Sequence, residues 1–173
     1  MGRDKDLLEL EGETLVERAL RKLRTVCSDV AIAGGSAGLE QFGRVIVDGR
    51  SGCGPLGGIV SALEQSAAEW NLFLAVDAPF VPVAVLEDLL RRAEGSQAVC
   101  VMAQSGEQRQ PLCAVYSRRA LGKLREELEG GRWKVTAAIA SAGVVEYVQL
   151  SDERWFLNLN TPEEFGRALE ERV

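Results

Sequence analysis

The sequence predicts an α/β fold with a largely parallel sheet. Short apolar segments alternate along the chain with segments whose apolar residues recur at helical spacing. The run from Trp70 to Val76 has the continuous apolar character of a strand buried on both faces. Several segments stop at an aspartate or at a glycine or proline cluster, the punctuation of strand ends and helix ends.

The elements follow in order. Thr14 and Glu17 form a T-x-x-E capping box, and Val16, Ala19, Leu20, Leu23 and Val26 continue it as an amphipathic helix. Val30 to Ala33 and Val45 to Val47 read as short strands, the second ending at Asp48. Ser51 to Gly58 reads as a loop by composition, leading into a helix from about Ile59 to Ala68. The strand from Trp70 stops at Asp77-Ala78-Pro79, and Pro82 opens a helix through Leu86, Leu89 and Leu90. Strands at Ala98 to Met102 and Leu112 to Tyr116 flank a polar turn. Ser117 caps a helix carrying Leu121, Leu124 and Leu128, which Gly130-Gly131 stops. A short helix near Val135 to Ala142 precedes a strand at Val144 to Val148. Phe156 to Asn160 is strand-like, and Thr161-Pro162-Glu163-Glu164 starts a last helix with Thr at N-cap and Pro at N1. With no internal repeat or linker, residues 1–173 read as one domain.

Composition narrows the chemistry. Hydrophobic residues make up 46% and charged residues 27% of the 173 residues, the mix of a globular domain with one core. No apolar run approaches the roughly 20 residues that span a bilayer, and the charged start Met1 to Asp6 lacks a signal-peptide core, so no membrane partner is expected. A net charge of -6 argues against a nucleic-acid partner. Cys27, Cys53, Cys100 and Cys113 are scattered, which reads as reduced thiols of a cytoplasmic protein and indicates no zinc site. The chain has no histidine, which excludes Ser-His-Asp and Cys-His mechanisms and histidine metal sites. Chemistry here must run on carboxylates, Lys and Arg, backbone amides and a hard metal ion.

Asp48 and Asp77 each end an apolar strand, where ligands of open α/β sheets bind. Carboxylates there offer hard oxygens to Mg²⁺, or else simply cap a turn. Asp77 ranks first because its strand is the most apolar and is therefore expected to be central. Gly54-Pro55-Leu56-Gly57-Gly58 precedes a helix, so its backbone amides can approach an anion, or can form an ordinary turn. Lys5 could neutralise a leaving pyrophosphate beside a phosphate site, or belong to a solvated tail.

Taken together, these fragments resemble the MobA-type guanylyltransferases, which attach GMP to molybdopterin. That family carries a signature of the form L-A-G-G-x-S-x-R-M-G-x-D-K, and Met1-Gly2-Arg3-Asp4-Lys5 with its leucine-rich sequel looks like the second half. Asp48, Gly54 to Gly58, Asp77-Ala78-Pro79 and Asn158-Leu159-Asn160-Thr161-Pro162 match in order and at similar spacing. The resemblance implies a Rossmann-like, doubly wound fold of the nucleotide-diphospho-sugar transferase type. It implies Lys5 at the GTP phosphates, Asp48 at the nucleotide and Asp77 on Mg²⁺. It also implies Gly54, Pro55, Leu56 and Gly57 at the guanosine, with Asn158 and Asn160 on the molybdopterin side. Arg109, Arg132 and Lys134 are candidates for the pterin phosphate, or ordinary solvated charges. GTP and molybdopterin are the implied substrates, with transient contact to other molybdenum-cofactor proteins. Ala33 stands where the family can carry a polar residue.

Ala33-Gly34-Gly35-Ser36 mimics the phosphate loop, but Gly38-Leu39-Glu40-Gln41 follows where R-M-G-x-D-K should, so a turn is expected. The first strand and the true loop are expected upstream, with Met1 as the internal methionine of the signature. Two rivals keep the same fold: a cytidylyltransferase for molybdopterin and a sugar-phosphate nucleotidyltransferase. A third, a non-catalytic nucleotide-binding module, fits a chain that begins at Met1.

Overall fold

The computed structural model describes residues 7–34, 38–47, 49 and 52–156. A small antiparallel pair, β1 (Glu9–Leu10) and β2 (Glu13–Thr14), turns through Glu11 and Gly12 at φ 56° and 79°. Helix α1 (Leu15–Val26) starts where the sequence places it. The Glu17 N–H donates to the Thr14 hydroxyl at 3.3 Å, and the Thr14 N–H donates back to Glu17 at 2.9 Å. β3 (Ile32–Ala33) and β4 (Val45–Ile46) form a separate parallel pair. Then follow α2 (Gly54–Gln65), β5 (Trp70–Leu74) and α3 (Val83–Glu94). The hairpin β6 (Cys100–Ser105) and β7 (Gln108–Ser117) turns at Gly106, φ 56°. α4 (Leu121–Glu129), α5 (Val135–Ala142) and β8 (Val145–Leu150) complete the described chain.

The main sheet has the order β5-β7-β6-β8. β7 is antiparallel to both neighbours and β8 is parallel to β6, so three of the four strands share one direction. Helices cover both faces. On one, Leu56, Ile59 and Leu63 of α2 join Leu124 of α4 and Ile139 of α5 against Met102 and Tyr116. On the other, Val85, Leu86 and Leu89 of α3 pack on Val101, Val115 and Val148. Each such fully buried aliphatic side chain contributes about 1.5–3 kcal/mol.

The structure corrects two expectations. Gly54 to Gly58 is not a loop, because α2 begins at Gly54 with Pro55 in its first turn. Proline's fixed φ is already helical there, and no interior hydrogen bond is lost. Among the described residues the Trp70 strand is not central either, since β5 stands at the edge of its sheet and is half-buried throughout. An apolar run reports that both faces of a strand are covered, here by α3 and α1 residues on one side and by Tyr116 beside Phe73 on the other. It does not report a partner on each edge.

The Ala75 N–H donates to the Leu112 carbonyl and the Arg118 N–H donates to the Glu69 carbonyl. By strand alternation the backbone groups of Leu72 and Leu74 point away from β7. In the smaller pair the Ile32 and Gly34 N–H groups bond to Arg44 and Ile46, so those of Ala33 point away from β4. A cleft of about 1070 Å³ lined by both strands, by Leu20 and Leu23 of α1 and by Ile59 and Ala62 of α2 separates the two sheets.

The elements from β6 to β8 fall near their expected positions, whereas Phe156, expected to be strand-like, does not. Ser117 caps a short 3-10 turn, Arg118–Ala120, that runs into α4, and its hydroxyl accepts from the Arg119 N–H at 3.1 Å. Gly130 ends α4, and Gly131 follows at φ 72°. Phe156 closes a 3-10 turn, Glu153–Phe156, while the rest of the expected strand and the helix from Thr161 lie outside the described residues.

Candidate active site

Asp77 sits in the turn that ends β5, half-buried and lining the cleft. The turn is held by the Ala78 N–H on the Ala75 carbonyl at 3.2 Å and by the Val81 N–H on the Ala78 carbonyl at 3.4 Å. Among the described residues the Asp77 carboxylate has no hydrogen-bond or ion-pair partner, so its oxygens are available to a ligand.

The N-terminus of α2 opens on the same cleft through Gly52, Gly54, Pro55 and Gly58. Gly54 has φ 61°, and among the described residues no side chain caps the helix and no acid stands in its first turn. The first-turn N–H groups and the positive end of the helix dipole therefore stay available to an anion. A Cβ on Gly58 would stand 3.9 Å from the Ala33 carbonyl oxygen, an ordinary contact, so α2 runs beside the end of β3. Leu56 and Gly57 are buried and anchor the turn, whereas Gly54 and Pro55 are exposed.

The cleft is thus lined at strand ends by a helix N-terminus and, among the described residues, by an unpaired carboxylate. Among the described residues no three His, Cys, Asp or Glu side chains gather to hold a metal by themselves. A lone carboxylate fits a hard cation such as Mg²⁺, which takes its other ligands from substrate phosphates and water. Thiol chemistry is closed to Cys100 and Cys113, since burial pushes both thiols up, Cys113 to about 12.

The other candidates fall elsewhere. Lys5, Asp48, Asn158 and Asn160 lie outside the described residues. Arg109, exposed on β7, stacks over the Tyr147 ring at 4.7 Å. Arg132 is taken by Glu127 through hydrogen bonds of 2.5 and 3.1 Å. Lys134 is exposed at the N-cap of α5. None of these three lines the cleft that holds Asp77. Gly34, whose φ of 74° agrees with the expected turn, does line it. Sequence reading passed over Lys22, which is buried and reaches the turn after Asp77. Its one signal was a lysine between the core positions Leu20 and Leu23 of α1.

A sheet covered by helices on both faces, with a helix N-terminus and a carboxylate sharing a cleft at strand ends, is the layout of a nucleotide-binding α/β domain. Residues 1–144 match the MobA-like NTP transferase domain, and the chain belongs to that family. It is 31% identical over 166 residues to the molybdenum cofactor guanylyltransferase of Pseudomonas putida (strain GB-1), covering 94% of this chain and 86% of that one. The molybdenum cofactor guanylyltransferase of Vibrio atlanticus (strain LGP32) is 34% identical over 172 residues, covering 94% and 85%. Among solved structures, molybdopterin-guanine dinucleotide biosynthesis protein A from Archaeoglobus fulgidus superposes with a TM-score of 0.78 at 25% identity, covering 97% and 90%. No helix among the described residues is long and apolar enough to cross a membrane.

Proposed function

We propose that this nucleotidyltransferase moves GMP from GTP to the phosphate of molybdopterin and releases pyrophosphate. The supporting observation is that Asp77 and the N-terminus of α2 line one cleft. The names of the relatives supply the substrates.

In this reaction an oxygen of the molybdopterin phosphate bonds to the α-phosphorus of GTP. The bond from that phosphorus to the bridging oxygen of the β-phosphate breaks, and pyrophosphate leaves. A phosphate monoester has a second pKa of about 6, so the nucleophile is largely dianionic at neutral pH and needs no general base. A chain without histidine suffices. The task left to the protein is to hold two anions together. The first-turn amides of α2 bind phosphate, and Asp77 holds the metal. Mg²⁺, when bound, supplies positive charge against the phosphates.

The roles of Lys5 at the GTP phosphates, Asp48 at the nucleotide, and Asn158 and Asn160 on the pterin side rest on the family resemblance. Of the three candidate cations for the pterin phosphate, Arg132 is held by Glu127 and Arg109 by Tyr147, and none of the three lines the cleft of Asp77. Free cysteines at positions 27, 53, 100 and 113 suit a reducing compartment, and the cytoplasm is the proposed location. A product bound for molybdenum enzymes calls for transient contact with the proteins that receive it.

The test is to supply the protein with molybdopterin, Mg²⁺ and either GTP or CTP, and to measure pyrophosphate. Release with GTP supports the reading. Release with CTP alone makes the protein a cytidylyltransferase, and nucleotide binding without release makes it a non-catalytic module.

A further inference from the structure

The turn that carries Asp77 is tied to a charged side chain from a distant helix. Lys22 lies midway along α1 and is only 8% exposed. Its ammonium donates to the Pro79 carbonyl at 2.5 Å and to the Val81 carbonyl at 2.6 Å. These carbonyls stand two and four residues after Asp77, within a stretch, Ala78 to Val81, that is buried throughout. A buried ammonium is costly unless hydrogen-bonded, and hydrogen bonds from a charged donor are about twice as strong as neutral ones.

Within the turn the Ala78 N–H donates to Ala75 at 3.2 Å and the Val81 N–H donates to Ala78 at a long 3.4 Å. Holding both carbonyls fixes the 79–80 and 81–82 peptide planes, and with them the path of the buried segment that leads out of Asp77. We propose that Lys22 is a positioning residue: its ammonium fixes the Pro79 and Val81 carbonyls and thereby holds the Asp77 carboxylate in its place at the cleft. The proposal rests on the reading of Asp77 as the metal-holding residue. It adds a requirement in α1 that the cleft lining alone does not reveal.

Lys22→Met keeps the length of the side chain and removes the charge and the donors. Three measurements follow on the intact protein. In the metal-free state, amide hydrogen exchange at Ala78 and Val81 should quicken at least tenfold in Lys22→Met, with β6 unchanged. Mn²⁺ binding followed by electron paramagnetic resonance should weaken about tenfold. In turnover kcat should fall at least tenfold, with KM for GTP within twofold. Lys22→Arg, which keeps charge and donors, should recover part of each loss.

A folded Lys22→Met protein with wild-type exchange and Mn²⁺ affinity overturns the proposal. If Lys22→Met does not fold, Lys22→Gln decides, since its amide can still serve one carbonyl. An intermediate Mn²⁺ affinity supports the proposal and a wild-type affinity overturns it. Loss of the fold in both variants assigns Lys22 to stability alone and also overturns it. Asp77→Asn is run beside them. If it binds Mn²⁺ like the wild type, the reading of Asp77 fails. If it loses Mn²⁺ while Lys22→Met keeps it, only the role of Lys22 fails.

Discussion

The hydroxyl of Tyr116 donates to the carbonyl of Pro111 at 2.8 Å, spanning the place where β7 slips its register against β6. Ala114 pairs with Met102, yet Gln110 pairs with the very next residue, Ala103, so Pro111 to Cys113 bulge out of the ladder. The bulge matters to the site because Gln110, Leu112 and Cys113 line a small hollow together with Asp77 and Ala78.

Tyr116 is fully buried, with its ring edge-on to Phe73 at 5.3 Å. Tyr116→Phe keeps the packing and leaves the Pro111 carbonyl without its donor, at a cost of about 1–3 kcal/mol. Thermal melting should show a fall of several degrees. An unchanged melting temperature would mean that the bulge does not depend on this bond.

Gly54 has φ 61°, and a Cβ there would meet nothing within 4 Å. Gly54→Ala is therefore strained by backbone conformation alone, by about 1–2 kcal/mol. A lower melting temperature and a raised KM for GTP are expected together, because the first turn of α2 must shift to relieve the strain. A fall in stability with KM unchanged would remove this turn from nucleotide binding.

Three carboxyls are held below their ordinary value of 4.5: Glu127 by its hydrogen bond from Arg132, Glu13 by Arg21 and Glu17 by Thr14. A carboxyl whose folded value is depressed adds stability that is present above the unfolded value and lost as pH falls through the folded one. Melting temperature should thus hold near neutral pH and drop once pH passes below the ordinary 4.5. Glu127→Gln should shallow that acid drop, and an identical drop in the variant would contradict the assignment.

Cys100 and Cys113 are buried and their thiols are pushed up by desolvation. A thiol reagent at neutral pH should leave both unmodified in the native protein and label them on unfolding. Mass mapping of the labelled cysteines checks this, and modification of Cys113 without unfolding would contradict the burial.

What was legible in the sequence was what local chemistry determines. The Thr14–Glu17 box involves residues three apart, and both its hydrogen bonds are present. Asp77 could be singled out as a candidate because a strand of apolar residues ends there, and the structure sets it in the lining of the cleft. The first turns of α2 were hidden because glycine and proline usually mark loops, although proline is equally at home at a helix start. The edge position of β5 was hidden because apolar pattern reports covered faces and carries no word of edge partners. Lys22 was hidden because its partners lie 57 and 59 residues away.

Asp77 and the N-terminus of α2, which line one cleft, together make the proposed site of GMP transfer. The most direct measurement compares Mg²⁺-dependent pyrophosphate release from GTP and molybdopterin in the wild type and in Asp77→Asn. The carboxylate has no partner among the described residues, so the variant should melt within about 0.5 kcal/mol of the wild type. Its kcat should fall by about 10²–10³, the size of losing one positioned electrostatic contact. A folded Asp77→Asn protein that turns over GTP at the wild-type rate with the same Mg²⁺ dependence would contradict the claim.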